Sequence, residues 1–114
     1  MNSYILRDMM KHYKLEVYVP ATHAETLKAA LAAAGAGKLG NYDSCFWECA
    51  GTGQFRPLPG SRPFLGETGT VEHVAERKLE TLVEAANLEA VLAALKAAHP
   101  YETPAYQYWP VQLD

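Results

Sequence analysis

Two cysteines, three serines and no surplus of basic charge leave this 114-residue chain short of several kinds of chemistry. Ser3, Ser44 and Ser61 are the serines. None sits in the strand–turn–helix context of a nucleophile elbow. The charge balance is 10 Lys and Arg against 13 Asp and Glu, net −3. A nucleic-acid binder draws its affinity from phosphate neutralisation and shows a basic face. Lys11, His12 and Lys14 are the longest basic cluster, so nucleic acid is not an expected partner. No apolar run approaches the roughly 18 residues that span a bilayer. Met1 to Lys14 carries Arg7, Asp8, Lys11 and Lys14 where a secretory leader would be apolar. A cytoplasmic protein with no membrane partner is expected.

Composition fits a folded chain. Hydrophobic residues make up 49% and charged residues 20%, ordinary proportions for a globular domain and wrong for a disordered one. The length allows one domain, 1–114, that buries about two thirds of its surface on folding. Cys45 and Cys49 lie four apart. On a strand they share a face about 13 Å apart at about 3.3 Å per residue, too far for a disulfide. On a helix they could share a metal. Their neighbours Phe46 and Trp47 favour the strand, and two buried core thiols are expected.

Tyr13, Leu15, Val17 and Val19 alternate with Lys14, Glu16 and Tyr18, the period of a half-buried strand that Pro20 ends. Thr22 and Glu25 have the spacing of a capping box. Leu27, Ala30, Leu31 and Ala34 then form a helical stripe, with Gly35 as a left-handed cap. Asp43 to Ala50 reads as a second strand. Gly51 to Gly69 holds five of the eight glycines and three prolines, and reads as an ordered loop or hairpin insertion. Thr70 to Glu84 fits a helix or a strand by its local pattern. Asn87 suits a cap for a helix with the stripe Leu88, Val91, Leu92 and Leu95, and Pro100 stops it. Tyr101 to Val111 reads as a last strand. With Thr70 to Glu84 extended, the order becomes the ferredoxin-like βαββαβ plan: α+β, a four-stranded antiparallel sheet with both helices on one face.

Gly35-Ala-Gly37-Lys-Leu-Gly40 matches G-x-G-x-x-G. It follows a helix and leads into a strand, so the helix end it meets has the wrong polarity for pyrophosphate. A cap and a turn are the better reading. His73 with Glu72 and Glu76, and His99 with Glu102, are candidate metal ligands. Zinc usually takes three or four ligands, and His99 at a helix C-terminus also has a structural use. A Cys–His nucleophile would need Cys45 or Cys49 to meet His99 by tertiary accident. Tyr42, Trp47, Phe55, Phe64, Tyr101, Tyr106, Tyr108 and Trp109 exceed what one helix-covered sheet face buries. They point to a partner, most simply a second copy of the chain.

Five motifs occur in order: Gly40-Asn-Tyr-Asp43, Gly51-Thr-Gly-Gln-Phe55, the Pro57…Pro59-Gly60…Pro63…Gly66 loop, Glu76-Arg77…Glu80, and His99-Pro-Tyr-Glu-x-Pro104-Ala-Tyr106. Together they resemble the YqfO-type domain inserted in the NGG-interacting-factor family of dinuclear-metal proteins, over residues 13 to 110. That domain is in turn similar to CutA and the PII signalling proteins, ferredoxin-like folds that assemble as trimers. The resemblance implies a strand for Thr70 to Glu84. It implies a non-enzymatic, stand-alone regulatory or small-ligand-binding domain acting as a homotrimer. Its cleft would draw on Tyr42, Asp43, Glu76, Glu80, His99, Tyr101 and Glu102. The alternative it implies is a divalent or copper ion held by His99 and Glu102 at an intersubunit cleft. The family's two-metal centre lies in a flanking core whose motifs this sequence does not contain, so neither that centre nor its hydrolase chemistry is carried over.

Overall fold

The computed structural model describes residues 11–113; Met1–Met10, with most of the segment read as lacking a leader, and Asp114 lie outside them. The elements are β1 (His12–Pro20), α1 (Ala24–Ala33), β2 (Phe46–Phe55), β3 (Glu72–Glu84), α2 (Leu88–Ala98) and β4 (Tyr106–Val111). A 3-10 turn, Ala21–His23 or Ala85–Asn87, leads into each helix. All pairings are antiparallel, in the order β2-β3-β1-β4. This is the ferredoxin-like plan the motif order implies, and the ambiguous segment is its longest strand.

The alternation in β1 does what its period dictates. Leu15, Val17 and Val19 are buried beside Leu79 and Val83 of β3, under Leu27 and Leu31 of α1 and Val91 and Leu95 of α2. Each helix contributes one apolar stripe, and the two stripes close one sheet face. Thr81 shares that face; its hydroxyl donates to the Cys45 carbonyl at 2.8 Å, so its burial leaves no unmet hydrogen bond.

The other face has no helix over it. Direct pairing puts Lys14, Glu16 and Tyr18 beside Leu82, Glu80 and Lys78, with Trp47 and Cys49 of β2 on one flank and Trp109 and Gln107 of β4 on the other. Lys78 reaches Glu16 at 3.0 Å and Lys14 reaches Glu80 at 3.6 Å. The hydrogen bond from Lys78 holds the Glu16 carboxyl below the usual carboxylate range. A crossed lattice of charge thus lies between exposed tryptophans.

Several local expectations are corrected. The Thr22–Glu25 capping box does not form, and neither Asn87 nor His23 caps with its side chain. The 3-10 turns replace them, with the amides of Ala24 and Leu88 donating to the carbonyls of Ala21 and Ala85. Thr22 bonds the His23 ring instead. The second strand runs Phe46–Phe55, not Asp43–Ala50, so the Gly/Pro-rich loop opens at Arg56 rather than Gly51. The β3 partner continues past Ala50, and its backbone groups hold β2 extended as far as Phe55. The thiols are not core thiols: Cys45, just before β2, is half-buried, and Cys49 is exposed because its side of β2 faces away from the helices. The last strand begins at Tyr106, since Pro100 and Pro104 bend the segment before it.

The glycine fingerprint is turn chemistry. Gly35 at φ 115° ends α1 with its amide on Ala32 and the next amide, Ala36, on Leu31, the paired bonds of a Schellman motif. Gly37 donates to the Leu82 carbonyl at 2.8 Å and accepts from Cys45 at 2.9 Å. At φ 85°, with a Cβ placed 2.9 Å from the Cys45 amide, only glycine fits there.

Candidate functional site

The segment His99–Ala105 connects α2 to β4 and builds the floor of a cleft. His99 follows the last turn of α2 and is 6% exposed. Its Nε2 meets the Tyr18 carbonyl at 2.6 Å, and its Nδ1 accepts from the Tyr101 amide at 3.1 Å. One nitrogen must carry the proton and the other must not, which defines a neutral Nε2–H imidazole. Burial lowers its pKa and favours that neutral form.

Tyr101 is held from three sides. Its ring packs edge-on against Phe55 at 5.6 Å, and lies 6.5 Å from Phe64 and 5.2 Å from the His99 ring. Its hydroxyl donates to Glu76 Oε2 at 2.8 Å. Burial, reinforced by that carboxylate, raises the phenol pKa well above the usual tyrosine value. Glu76 reaches it by lying across β2 at Gly53, where a Cβ would collide with Glu76 Oε1. The missing side chain at Gly53 is what makes room for the carboxylate.

The Gly/Pro-rich loop supplies the far wall. Gly69 donates to Pro57 across its base at 2.8 Å, and the Ser61 hydroxyl donates to Leu58 at 2.7 Å. The Arg62 amide donates to Glu102 Oε2 at 2.9 Å, and Phe64 stands edge-on to His23 at 5.2 Å. Between these walls lies a cavity of about 300 Å³, lined by Phe55, Pro57, Phe64, Glu76, Tyr101 and Glu102 among others.

Of the seven residues the sequence singles out, Glu76, Tyr101 and Glu102 share this cavity, with His99 beneath it. Glu80 does not join them. It lies about 13 Å along β3 from Glu76, in the charge lattice. Tyr42 and Asp43 do not join them either. They belong to a separate depression with His12, Lys38 and Glu84, at the other end of β3. Tyr42, at the Leu39–Tyr42 turn, is 75% exposed. Phe55 and Phe64 are wall residues that the sequence places among the surplus aromatics and not among the candidate site residues; an aromatic in or beside a Gly/Pro-rich loop is the signal that marks them. The aromatics themselves divide. Trp47 and Trp109 face the helix-free side, Tyr106 packs on the core, and Tyr108 meets Tyr13 edge-on at 5.9 Å.

Within this chain His99 and Glu102 each have hydrogen-bond partners. Both imidazole nitrogens are engaged, and Glu102 serves the loop amide. His73 bonds Gln54 at 3.1 Å. Among the described residues no group of three or more His, Cys, Asp or Glu is placed to hold an ion. Nor do the described residues contain a helix long and apolar enough to cross a membrane.

No family model matches the chain. It is 46% identical over 99 residues, 87% of its length, to a GTP cyclohydrolase 1 type 2 homolog of Halalkalibacterium halodurans, and covers 27% of that protein. It is 48% identical over 93 residues to the homolog of the same name from Mycobacterium tuberculosis, 82% of the chain and 24% of the relative. The chain thus spans about a quarter of the length of these curated relatives. Among solved structures it is similar to a Bacillus cereus protein related to NIF3, with TM-score 0.77 and 39% identity over 91% of this chain and 26% of that one. The periplasmic divalent cation tolerance protein CutA of Archaeoglobus fulgidus has TM-score 0.61 over 90% of this chain and 86% of that one. At 19% identity that likeness speaks for the fold.

Proposed function

The chain belongs with the YqfO-type, PII/CutA-like domain of the NIF3-related proteins, and from that premise we propose that it is a non-enzymatic, small-ligand-binding regulatory domain that works as a homotrimer. The observation that carries the ligand-binding part is the cavity between Tyr101, Glu76 and the Gly/Pro-rich loop. It has the size and the mixed apolar and polar lining of small-molecule sites. Its floor is preorganised: the His99–Tyr18 and Tyr101–Glu76 bonds fix the groups before any ligand arrives.

The assembly part is supported by the helix-free sheet face, which leaves Trp47 62% exposed and Trp109 41% exposed beside a half-buried charge lattice. Apolar rings of this size on a soluble surface mark an interaction site. In a trimer a neighbour's Tyr42–Asp43 turn or Glu80 could approach a cleft that a single chain keeps separate from them. Regulation follows if ligand occupancy favours one arrangement of subunits. A cytoplasmic location is part of the same proposal.

The test is a small-molecule screen against the whole chain, read by the amide and ring signals of Phe55, Phe64 and Tyr101. Selective perturbation of those signals supports the cleft; perturbation confined to the Tyr42 turn or the helices argues against it.

A further inference from the structure

We propose that the cavity takes a small organic cation: a protonated amine or quaternary ammonium on a flat or apolar body. This inference rests on the cleft reading above and names its ligand class.

The charge inventory comes first. Six ion pairs occur among the described residues, and neither Glu76 nor Glu102 takes part in any of them. The partners found for the two carboxylates are neutral: the Tyr101 hydroxyl for Glu76 and the Arg62 amide for Glu102. No lysine or arginine is among the residues lining the cavity. Elsewhere in the same sheet, Glu16, Glu48 and Glu80 all have basic partners. Two carboxylates without a countercharge among the described residues, beside a largely apolar cavity, attract positive charge and repel anions.

The walls then choose among cations. Phe55, Phe64 and Tyr101 present rings, and Pro57 and Pro63 complete an apolar lining. Ring faces attract an ammonium through their quadrupole and shelter the carbon skeleton attached to it. A bare divalent ion would gain from the carboxylates, but among the described residues no three His, Cys, Asp or Glu side chains are grouped to hold one. An organic ammonium uses both halves of the site, with charge toward Glu76 and body against Phe55 and Phe64. Gly53 is part of the device, because any side chain there would push Glu76 out of the cavity.

Three probes of one shape test this: phenethylammonium, 2-phenylethanol and phenylacetate, titrated at millimolar concentration into the whole chain and followed by NMR. Phenethylammonium is expected to shift the signals of Gly53, Phe55, Phe64 and Tyr101 and to bind at least about tenfold more tightly than the other two. Glu76→Gln keeps an acceptor for Tyr101 and is expected to erase that preference. Gly53→Ala is expected to weaken the cation by displacing Glu76. Glu25→Gln, on the exposed face of α1, is expected to leave it unchanged. If phenylacetate or phenylethanol binds in the same cavity as tightly as the cation, the cleft survives and the cation assignment is overturned. If Glu76→Gln retains the full preference, the assignment is likewise overturned. If none of the three probes perturbs the cavity, both the cleft and its ligand class fall.

Discussion

The His99 imidazole donates to the Tyr18 carbonyl at 2.6 Å, joining the end of α2 to the middle strand β1 across 81 residues of sequence. The same ring accepts the Tyr101 amide, so one buried side chain both closes the core and sets the cleft floor. His99→Ala leaves two polar groups in that buried corner without their partner. The expected loss is about 2 to 4 kcal/mol of folding stability, measured by denaturant unfolding. A variant as stable as the parent would show that this bond contributes little.

The pH dependence follows from the same residue. Burial lowers the folded-state pKa of His99, so the unfolded chain takes up a proton that the folded chain resists. Its stabilising contribution is complete above about pH 6.5, the unfolded value, and is lost as pH falls from there through the lowered folded value. The unfolding midpoint is therefore expected to hold above about pH 6.5 and to drop as the pH is lowered from there. The drop should be smaller in His99→Gln. Equal slopes in both proteins would contradict the assignment.

Tyr101 gives a spectroscopic prediction. In an ultraviolet titration, one phenol among the seven tyrosines should ionise well above the others, for burial and the Glu76 carboxylate both oppose its anion. Tyr101→Phe should remove that late transition and cost about 1 kcal/mol of stability for the lost hydroxyl bond. Glu76→Gln should move the transition down without abolishing it. A late transition that persists in Tyr101→Phe belongs to another ring.

The two faces of the sheet should respond differently to substitution. Leu31 and Leu95 are fully buried, and either change to Ala is expected to cost about 2 to 5 kcal/mol. Trp47 is largely exposed in a single chain. Trp47→Glu should leave the unfolding of an isolated chain within about 0.5 kcal/mol while weakening self-association. Chemical unfolding combined with light scattering separates the two effects.

How much of this was legible in the sequence varies with the physics of each segment. The alternation from Tyr13 to Val19 and the stripes Leu27–Leu31 and Val91–Leu95 place one burial face on one period, and the core follows them residue for residue. Thr70 to Glu84 gave no such answer. It packs at the centre of the sheet with Lys78 and Glu80 paired to charges on one side and Leu79, Thr81 and Val83 buried on the other, so charge and burial alternate without a wholly apolar face. The motif resemblance resolved it. Gly51 and Gly53 look like loop residues and so shorten β2 in the sequence, whereas both pair with β3, and Gly53 leaves the space that the Glu76 side chain occupies. Tyr101 and Glu102 follow a helix end that the sequence marks with clustered charge and rings, and the strand β3 brings Glu76 to them. That Glu80, Tyr42 and Asp43 lie elsewhere depends on strand register, which local pattern does not carry.

The account rests most heavily on the helix-free face being covered by copies of the chain, and sedimentation equilibrium measures that directly. At about 10 µM the account predicts a particle of about 37 kDa, three times the 12.5 kDa chain, that Trp47→Glu reduces toward one chain. A single species of 12.5 kDa for the unaltered protein, with the sheet face in open solvent, would contradict it.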